Sequence, residues 1–140
     1  MVKYLIDSNV IVNYTSEKFP EKAMSFLADV IDDIPNISVI TKIETRSWRS
    51  TIMQEEISVE SFVNSSNVIA LSDSIVEKCI EIRRNCRVKT PDAIIAATAI
   101  VNDLILITSD SDFNRIPNLG IINPFDDSLF SNTITHQTNF

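Results

Sequence analysis

The sequence of 140 residues is poor in the residues that several classes of enzyme require. Gly120 is its only glycine, so it contains neither of the glycine-rich loops that cradle phosphates, the P-loop and the dinucleotide fingerprint. His136 is its only histidine, which argues against histidine acid–base catalysis, a Ser–His–Asp triad and a multi-histidine metal site. Cys79 and Cys86 are its only cysteines, and their spacing fits no zinc motif.

Long hydrophobic runs and an excess of positive charge are missing as well. The longest apolar stretch, 93–101, is interrupted by Thr98 and is too short to cross a membrane, and the apolar run within 1–6 is too short for a signal peptide. We therefore expect a cytoplasmic protein whose cysteines are reduced rather than bridged. The net charge of −7 argues against non-specific coating of DNA and against binding to an anionic membrane.

Short β-prone runs alternate with helical patterns along the whole chain. The strand-like runs occupy residues 2–6, 37–40, 67–71, 104–107 and 121–122. This alternation predicts an α/β fold with a mainly parallel sheet, in which ligands bind at the carboxyl ends of the strands. We expect one domain over residues 1–125, followed by a polar tail over 126–140.

Two segments carry strong signals for the start of a helix. Residues 41–44 have the form of a capping box, with Thr41 as the N-cap and Glu44 as its partner. Residues 90–92 place Thr90 at the N-cap, Pro91 at the first helical position and an acid in the first turn. The helix that follows is apolar on nearly every side, so we expect it to be buried.

Carboxylates are abundant, with 19 Asp and Glu residues, and five of them occupy the positions that the strand-end rule selects. These five are Asp7, Glu44, Asp92, Asp110 and Asp112. Carboxylates that converge at one sheet edge raise one another's pKa values, and a protein does not keep such a cluster ionised without a cation. Oxygen ligands suit Mg²⁺ or Mn²⁺, and the chemistry that follows is phosphodiester hydrolysis by metal-activated water.

Each of these acids also has a purely structural interpretation. Glu44 could be only the third residue of the capping box, and Asp92 could only complement a helix dipole. The other three could be turn or cap residues, since a side-chain cap contributes ~0.5–2 kcal/mol. The two interpretations are compatible, because an acid can face a helix N-terminus and also bind a metal.

Local strings of residues resemble the motifs of PIN-domain ribonucleases, in the same order. Residues 5–10, Leu-Ile-Asp-Ser-Asn-Val, resemble the opening motif, and 38–44 resemble the second motif, which ends in a glutamate. Residues 90–99, Thr-Pro-Asp-Ala-Ile-Ile-Ala-Ala-Thr-Ala, closely match the third motif. Residues 106–113 resemble the fourth, and 121–124 resemble the closing strand, so the resemblance covers nearly the whole chain.

This resemblance implies a PIN-like three-layer α/β/α sandwich, with about five mainly parallel strands in the order 3-2-1-4-5. It implies a divalent-metal-dependent endoribonuclease, a hydrolase that cleaves RNA phosphodiester bonds with Mg²⁺ or Mn²⁺. The implied metal ligands are Asp7, Glu44, Asp92 and Asp110, with Asp112 as a further catalytic acid and with Ser8 and Thr108 in support. The family varies between Asn and Asp at the position of Asp110, so the division of roles between Asp110 and Asp112 stays open.

The length of the chain resembles that of the toxin in VapBC-type toxin–antitoxin pairs. That resemblance implies a homodimer, silenced by a small antitoxin whose C-terminal segment covers the active site. Two other interpretations remain open: a PIN-fold nuclease that processes RNA without an antitoxin, and a catalytically silent RNA-binding module. Retention of the four motif acids counts against the silent module.

The basic residues are concentrated in the middle of the chain, where eight of the 12 fall between residues 42 and 89. The candidates for contacting RNA phosphates are Lys42, Arg46 and Arg49 on one predicted helix face, and Arg83, Arg84, Arg87 and Lys89 ahead of the third motif. Both groups could equally form ordinary solvated surface. Trp48 could stack on a base, or it could pack in the core or in a dimer interface.

Overall fold

The computed structural model describes residues 3–126 and 128, so most of the predicted polar tail lies outside the described residues. The strands are β1 (Tyr4–Ile6), β2 (Asn36–Ser38), β3 (Asn67–Ile69), β4 (Ile105–Ile107) and β5 (Ile121–Ile122). The helices are α1 (Ser8–Thr15), α2 (Glu21–Asp32), α3 (Val39–Ser47), α4 (Met53–Asn64), α5 (Asp73–Asn85) and α6 (Thr90–Val101). A 3-10 helix, Ser111–Arg115, lies between β4 and β5.

The strands form one sheet in the order β3-β2-β1-β4-β5, and every neighbouring pair in it is parallel. This arrangement confirms the predicted PIN-like α/β/α fold and its strand order. The central pair, β1 and β4, is in register from Tyr4 opposite Ile105 to Ile6 opposite Ile107. The residues that follow these two strands therefore leave the sheet side by side at its carboxyl edge.

The alternation of side chains along β1 and β4 divides the core into two layers. Leu5 and Leu106 face a cluster that includes buried residues of α5 and α6, whereas Ile6 and Ile107 face a cluster that includes residues of α1, α2 and α4. The helix α6 is buried over most of its surface, as its composition predicted. Cys79 is buried in the first cluster, and both cysteines are free.

The second predicted strand is shorter than its sequence suggested, and the predicted capping box is wrong. The strand ends at Ser38, whose side-chain oxygen accepts a hydrogen bond from the Ile40 backbone N–H at 3.1 Å and caps α3. Thr41 is consequently inside α3, where it is fully buried. The β-branched residues Val39 and Ile40 favour a strand intrinsically, but the cap at Ser38 and packing on the sheet override that preference.

Other boundaries shift by one or two residues. Lys89, not Thr90, is the N-cap of α6, so Thr90 becomes the first helical residue and Pro91 the second. The third strand ends at Ile69 rather than at residue 71, and Ser72 caps α5 by accepting from the Ile75 backbone N–H at 3.2 Å. No helix in the described part of the chain is long and apolar enough to cross a membrane.

Replacing a leucine of the central strand tests how far the fold depends on the β1–β4 pair. We expect Leu106→Ala, at a side chain that is 0% exposed, to lower the free energy of unfolding by about 2–5 kcal/mol, because it leaves a cavity beneath α6. The matched control is Leu71→Ala, at a side chain that is 50% exposed, which we expect to change it by about 0.5 kcal/mol or less. Urea unfolding measures both, and equal losses would contradict this account of the core.

Candidate active site

Asp7 is the most enclosed of the five acids, because it follows β1 directly and its residue is only 5% exposed. Its carboxylate accepts three hydrogen bonds. The Ser8 backbone N–H donates to Oδ1 at 2.9 Å, and Oδ2 accepts from the Thr108 hydroxyl at 2.8 Å and from the Asn9 amide at 3.2 Å. Asp7 is also the N-cap of α1, so the same carboxylate caps the helix and accepts hydrogen bonds from Thr108 and Asn9.

The surroundings of Asp7 make its charge costly. Burial raises its pKa from an ordinary value of 3.8 to about 6. The hydrogen bonds from Thr108 and Ser8 act in the opposite direction, whereas the nearby carboxylates of Glu44 and Asp92 raise the pKa further. A buried acid with two acidic neighbours is the environment in which a bound cation would stabilise the ionised form most.

Three other acids come together at the same edge of the sheet. Asp92, Asp110 and Asp112 each offer a carboxylate oxygen, and these oxygens lie within 4.8 Å of one another. Asp92 is in the first turn of α6, and its pKa is raised by burial and then by the charges of Asp110, Glu44 and Asp112, in part offset by Lys89. Such a set of oxygen donors fits a hard divalent cation.

The loop after β4 holds Asp110 and Asp112 through its own backbone. Thr108 Oγ1 accepts a hydrogen bond from the Asp110 backbone N–H at 3.1 Å while its hydroxyl donates to Asp7, so one threonine connects two acids. Asp110 caps the 3-10 helix by accepting from the Asp112 backbone N–H at 2.9 Å. Asp110 is therefore a cap residue as well as a member of the acid cluster, and the sequence had left both interpretations open.

Glu44 lies at the margin of this group. Its side chain is exposed on α3, and its Oε1 accepts a hydrogen bond from the Ser8 hydroxyl at 2.8 Å. Glu44 is not one of the three acids whose oxygens cluster, but its charge raises the pKa values of both Asp7 and Asp92. The structure thus brings all five predicted acids into one electrostatically coupled group, with Glu44 on its open side.

Sequence reasoning missed Asn9 and Ser109, which join the ends of the two central strands. Asn9 donates to Asp7 and, through Oδ1, accepts from the Ser109 backbone N–H at 3.2 Å and from the Ser109 hydroxyl at 3.0 Å. The signal was present in the sequence, since Asn9 stands two residues after Asp7 in the opening motif. A lone asparagine there is equally typical of a turn, so only the fold reveals its partners.

The predicted basic residues fall into two different surroundings. Arg46 of α3 pairs with Glu60 at 3.4 Å. The predicted helix face of three cations is wrong for Arg49, because α3 ends at Ser47, and Arg49 pairs with Glu56 from the connection to α4 at 3.6 Å. Lys42, on α3, is exposed. Arg87 and Lys89 instead line an open cavity of about 480 Å³ that also contains Asp92 and Asp112. Trp48 is half-buried against the second core cluster, which favours its structural interpretation.

The chain is similar to a known domain family and to several solved structures. The model of the PIN domain matches residues 4–119 of the chain. A toxin–antitoxin complex from Klebsiella pneumoniae contains a chain that is 28% identical, with 89% of this chain and 99% of that one covered at a TM-score of 0.67. A comparison with curated proteins gives no match.

Two further solved structures share the fold at lower identity. VapBC2 from Rickettsia felis, bound to a DNA fragment from its promoter, is 23% identical and covers 88% of this chain and 98% of that one at a TM-score of 0.72. VapBC-1 from nontypeable Haemophilus influenzae is 19% identical and covers 90% and 100% at a TM-score of 0.70. These likenesses confirm the fold that the resemblance implied.

The raised pKa of Asp7 predicts a pH-dependent stability in the presence of a chelator. Since its pKa is higher in the folded state, Asp7 stabilises the fold fully below about pH 4 and loses this contribution as the pH rises through about 6. We expect the stability of the wild type relative to Asp7→Asn to fall by about 2–3 kcal/mol between about pH 4 and pH 7. Urea unfolding across this range measures the difference.

The matched control for this measurement is Asp29→Asn, which removes an exposed carboxylate from α2. Its stability should follow the wild-type pH profile. A constant difference between the wild type and Asp7→Asn across the range would contradict the raised pKa.

Proposed function

Because this chain belongs to the PIN domain family, we propose that it is a divalent-metal-dependent endoribonuclease that hydrolyses RNA phosphodiester bonds. The observation that carries the proposal is the convergence of the carboxylate oxygens of Asp92, Asp110 and Asp112 within 4.8 Å. Asp7, buried beside them with a pKa raised to about 6, supports the same conclusion. Histidine chemistry is poorly supplied in this chain, whereas oxygen ligands for a hard cation are concentrated at one edge of the sheet.

We assign the metal to Asp7, Glu44, Asp92 and Asp110, with Asp112 as a further acid. A bound Mg²⁺ or Mn²⁺ would activate a water and stabilise negative charge at phosphorus. The residues of the chain then have separate tasks. Thr108 and Asn9 hold Asp7 Oδ2 through hydrogen bonds, and the Ser8 backbone N–H holds Oδ1, so the buried carboxylate keeps a defined orientation.

Glu44 has a different role in this proposal because it is exposed and lies outside the three acids whose oxygens cluster. The Ser8 hydroxyl restrains its carboxylate at 2.8 Å and directs it toward the other acids, whose pKa values its charge raises. Ser8 and Thr108 are therefore positioning residues, which act on the site through Glu44 and Asp7.

We further propose that the protein is the cytoplasmic toxin of a type II toxin–antitoxin pair. The support comes from the solved complexes that it resembles, of which the Klebsiella pneumoniae toxin–antitoxin complex is the most similar in sequence among those described above. The implied partners are a small antitoxin and a second copy of the chain. A short neighbouring gene for a DNA-binding protein would distinguish this role from RNA processing without an antitoxin.

Two exposed apolar stripes are candidates for these two partners. Val76 and Ile80 lie one turn apart on α5, and Met53 and Ile57 lie one turn apart on α4. The two helices pack against opposite layers of the core. The chain thus offers a separate apolar surface on each side of its sheet, one for a second copy and one for an antitoxin.

Removing one site acid and the metal tests the proposed activity. We expect Asp92→Asn to reduce cleavage of a panel of structured RNAs by at least ~100-fold, because it removes a ligand charge, and we expect a chelator to abolish cleavage. Gel analysis of the cleavage products measures activity, and calorimetry with Mn²⁺ measures metal binding.

The matched control is Asp73→Asn, which removes the first-turn acid of α5 as Asp92→Asn removes that of α6. Its activity and metal binding should stay at the wild-type level. Activity that survives both the chelator and Asp92→Asn would refute the metal mechanism, and a metal-loaded protein that cuts no RNA would favour the silent binding module.

Self-association is tested by placing a charge in each apolar stripe. We expect the wild type to sediment as a dimer and only one of the variants Ile57→Glu and Ile80→Glu to become monomeric, since each stripe serves a different partner. Analytical ultracentrifugation measures the mass, and each variant is the matched control of the other. A monomeric wild type, or two variants that both remain dimeric, would contradict the proposed dimer.

A further inference from the structure

We infer that Arg87 and Arg115 form a phosphate subsite for the RNA strand, and that the strand leaves the acid cluster over this subsite rather than along α3. This inference rests on the proposed ribonuclease function and specifies its substrate path. Arg115 carries no signal in the sequence, because it stands alone in the loop after β4. Its position beside the acids follows only from the fold.

The subsite is one side of the open cavity of about 480 Å³ next to the acid cluster. Two of the site acids, Asp92 and Asp112, lie in its lining. The remaining charged groups of the lining are the cations Arg83, Arg87, Lys89 and Arg115. A metal-binding edge and a cationic edge therefore share one cavity, which is the charge pattern that a phosphodiester chain with a metal-bound phosphate requires.

The cationic edge is a defined structure in which two segments are tied together. The Cys86 thiol donates to the Arg115 carbonyl oxygen at 3.6 Å, and Arg115 Nη1 donates to the Arg87 carbonyl oxygen at 3.5 Å. On the same loop, Arg83 Nε donates to the Val88 carbonyl oxygen at 3.4 Å. These contacts bring the connection between α5 and α6 next to the 3-10 helix, so Arg87 and Arg115 line the same cavity.

The two candidate basic surfaces differ in how far their charges are already neutralised. Arg46 of α3 pairs with Glu60, and Arg49, two residues beyond the end of α3, pairs with Glu56. Within residues 3–126 and 128, Arg87 has no ion pair, and Arg115 pairs with Asp112 at the long distance of 3.8 Å. Among the described residues Lys42 of α3 is unpaired as well, but the cavity edge has three cations without an ion pair, Arg83, Arg87 and Lys89, and so presents more uncompensated positive charge.

Asp112, the ion-pair partner of Arg115, connects the subsite to the proposed metal site. Asp112 is one of the three acids whose oxygens converge, so a cation at these acids would take up the negative charge that now faces Arg115. The guanidinium would then be available to an anion. Its planar donors match two oxygens of a phosphate, as do those of Arg87, and the proposed ribonuclease function makes an RNA backbone the occupant.

Binding of a labelled single-stranded RNA tests the subsite without turnover. All proteins carry Asp92→Asn, so that the RNA stays intact, and fluorescence anisotropy gives the affinity over a range of salt concentrations. We expect Arg87→Gln/Arg115→Gln to weaken binding by about 10–100-fold and to reduce the salt slope by ~1.4, the value for two lost contacts to a single strand. The matched control is Arg46→Gln/Arg49→Gln, which should bind within about 2-fold of the parent.

Two outcomes would overturn the inference. One is unchanged RNA binding by Arg87→Gln/Arg115→Gln, which would indicate that these cations bind a protein partner instead. The other is an equal or greater loss in the α3 control, which would move the strand to that surface. Circular dichroism melting of each variant shows whether a loss of affinity reflects unfolding.

Cleavage of trimmed substrates separates this inference from the proposed function. For the wild type, we expect the KM to rise when the RNA is shortened on one side of the cut. In Arg87→Gln/Arg115→Gln, made in the otherwise wild-type protein, we expect the full-length and the shortened RNA to have the same KM. Absence of cleavage by the metal-loaded wild type would refute the proposed function. Normal cleavage with an unaltered effect of trimming in the variant would refute the phosphate subsite alone.

Discussion

The whole arrangement depends on the parallel pairing of β1 with β4 at the centre of the sheet. Their register places Ile6 opposite Ile107, so the next residue of each strand meets at the carboxyl edge, where Thr108 donates to Asp7 across 101 residues of sequence. The same pairing assigns alternate side chains to the two layers of the core. One register therefore determines both what stabilises the fold and where the acids converge.

That convergence opposes folding, because burial and mutual repulsion make the charged carboxylates unfavourable. The pKa of Asp7 is raised to about 6 even though Thr108 and Ser8 stabilise its ionised form. The apolar core on both sides of the sheet supplies the stability that tolerates this edge. Acids held together at such a cost support the proposed metal site, because ordinary helix caps do not need to converge.

Several errors in reading the sequence have the same physical origin. Val39 and Ile40 favour a strand, and Thr41 with Glu44 fits a capping box, yet Ser38 caps the helix instead, because the chain must leave the sheet there. The positions of Asp7 and Asp92 were predictable, since one directly follows a strand and the other lies in the first turn of a helix, whereas Glu44 lies in the second turn of α3 and not in the first. The pairing of Arg46 with Glu60 was not, because it depends on how α3 lies against α4, and the link between Arg115 and Asp112 needs the whole loop after β4.

The sequence by itself determined the alternation of strands and helices, the motif strings that resemble the PIN-domain ribonucleases, and the abundance of carboxylates beside scarce glycine and histidine. These are local properties, which short segments carry in their own composition and spacing. Only the tertiary structure decided that Asp7 is buried and Glu44 exposed, that Arg46 pairs with Glu60 of α4, and that Arg87 and Arg115 line one cavity with Asp92. Burial and charge pairing arise between segments distant in sequence, so they exist only once the chain has folded.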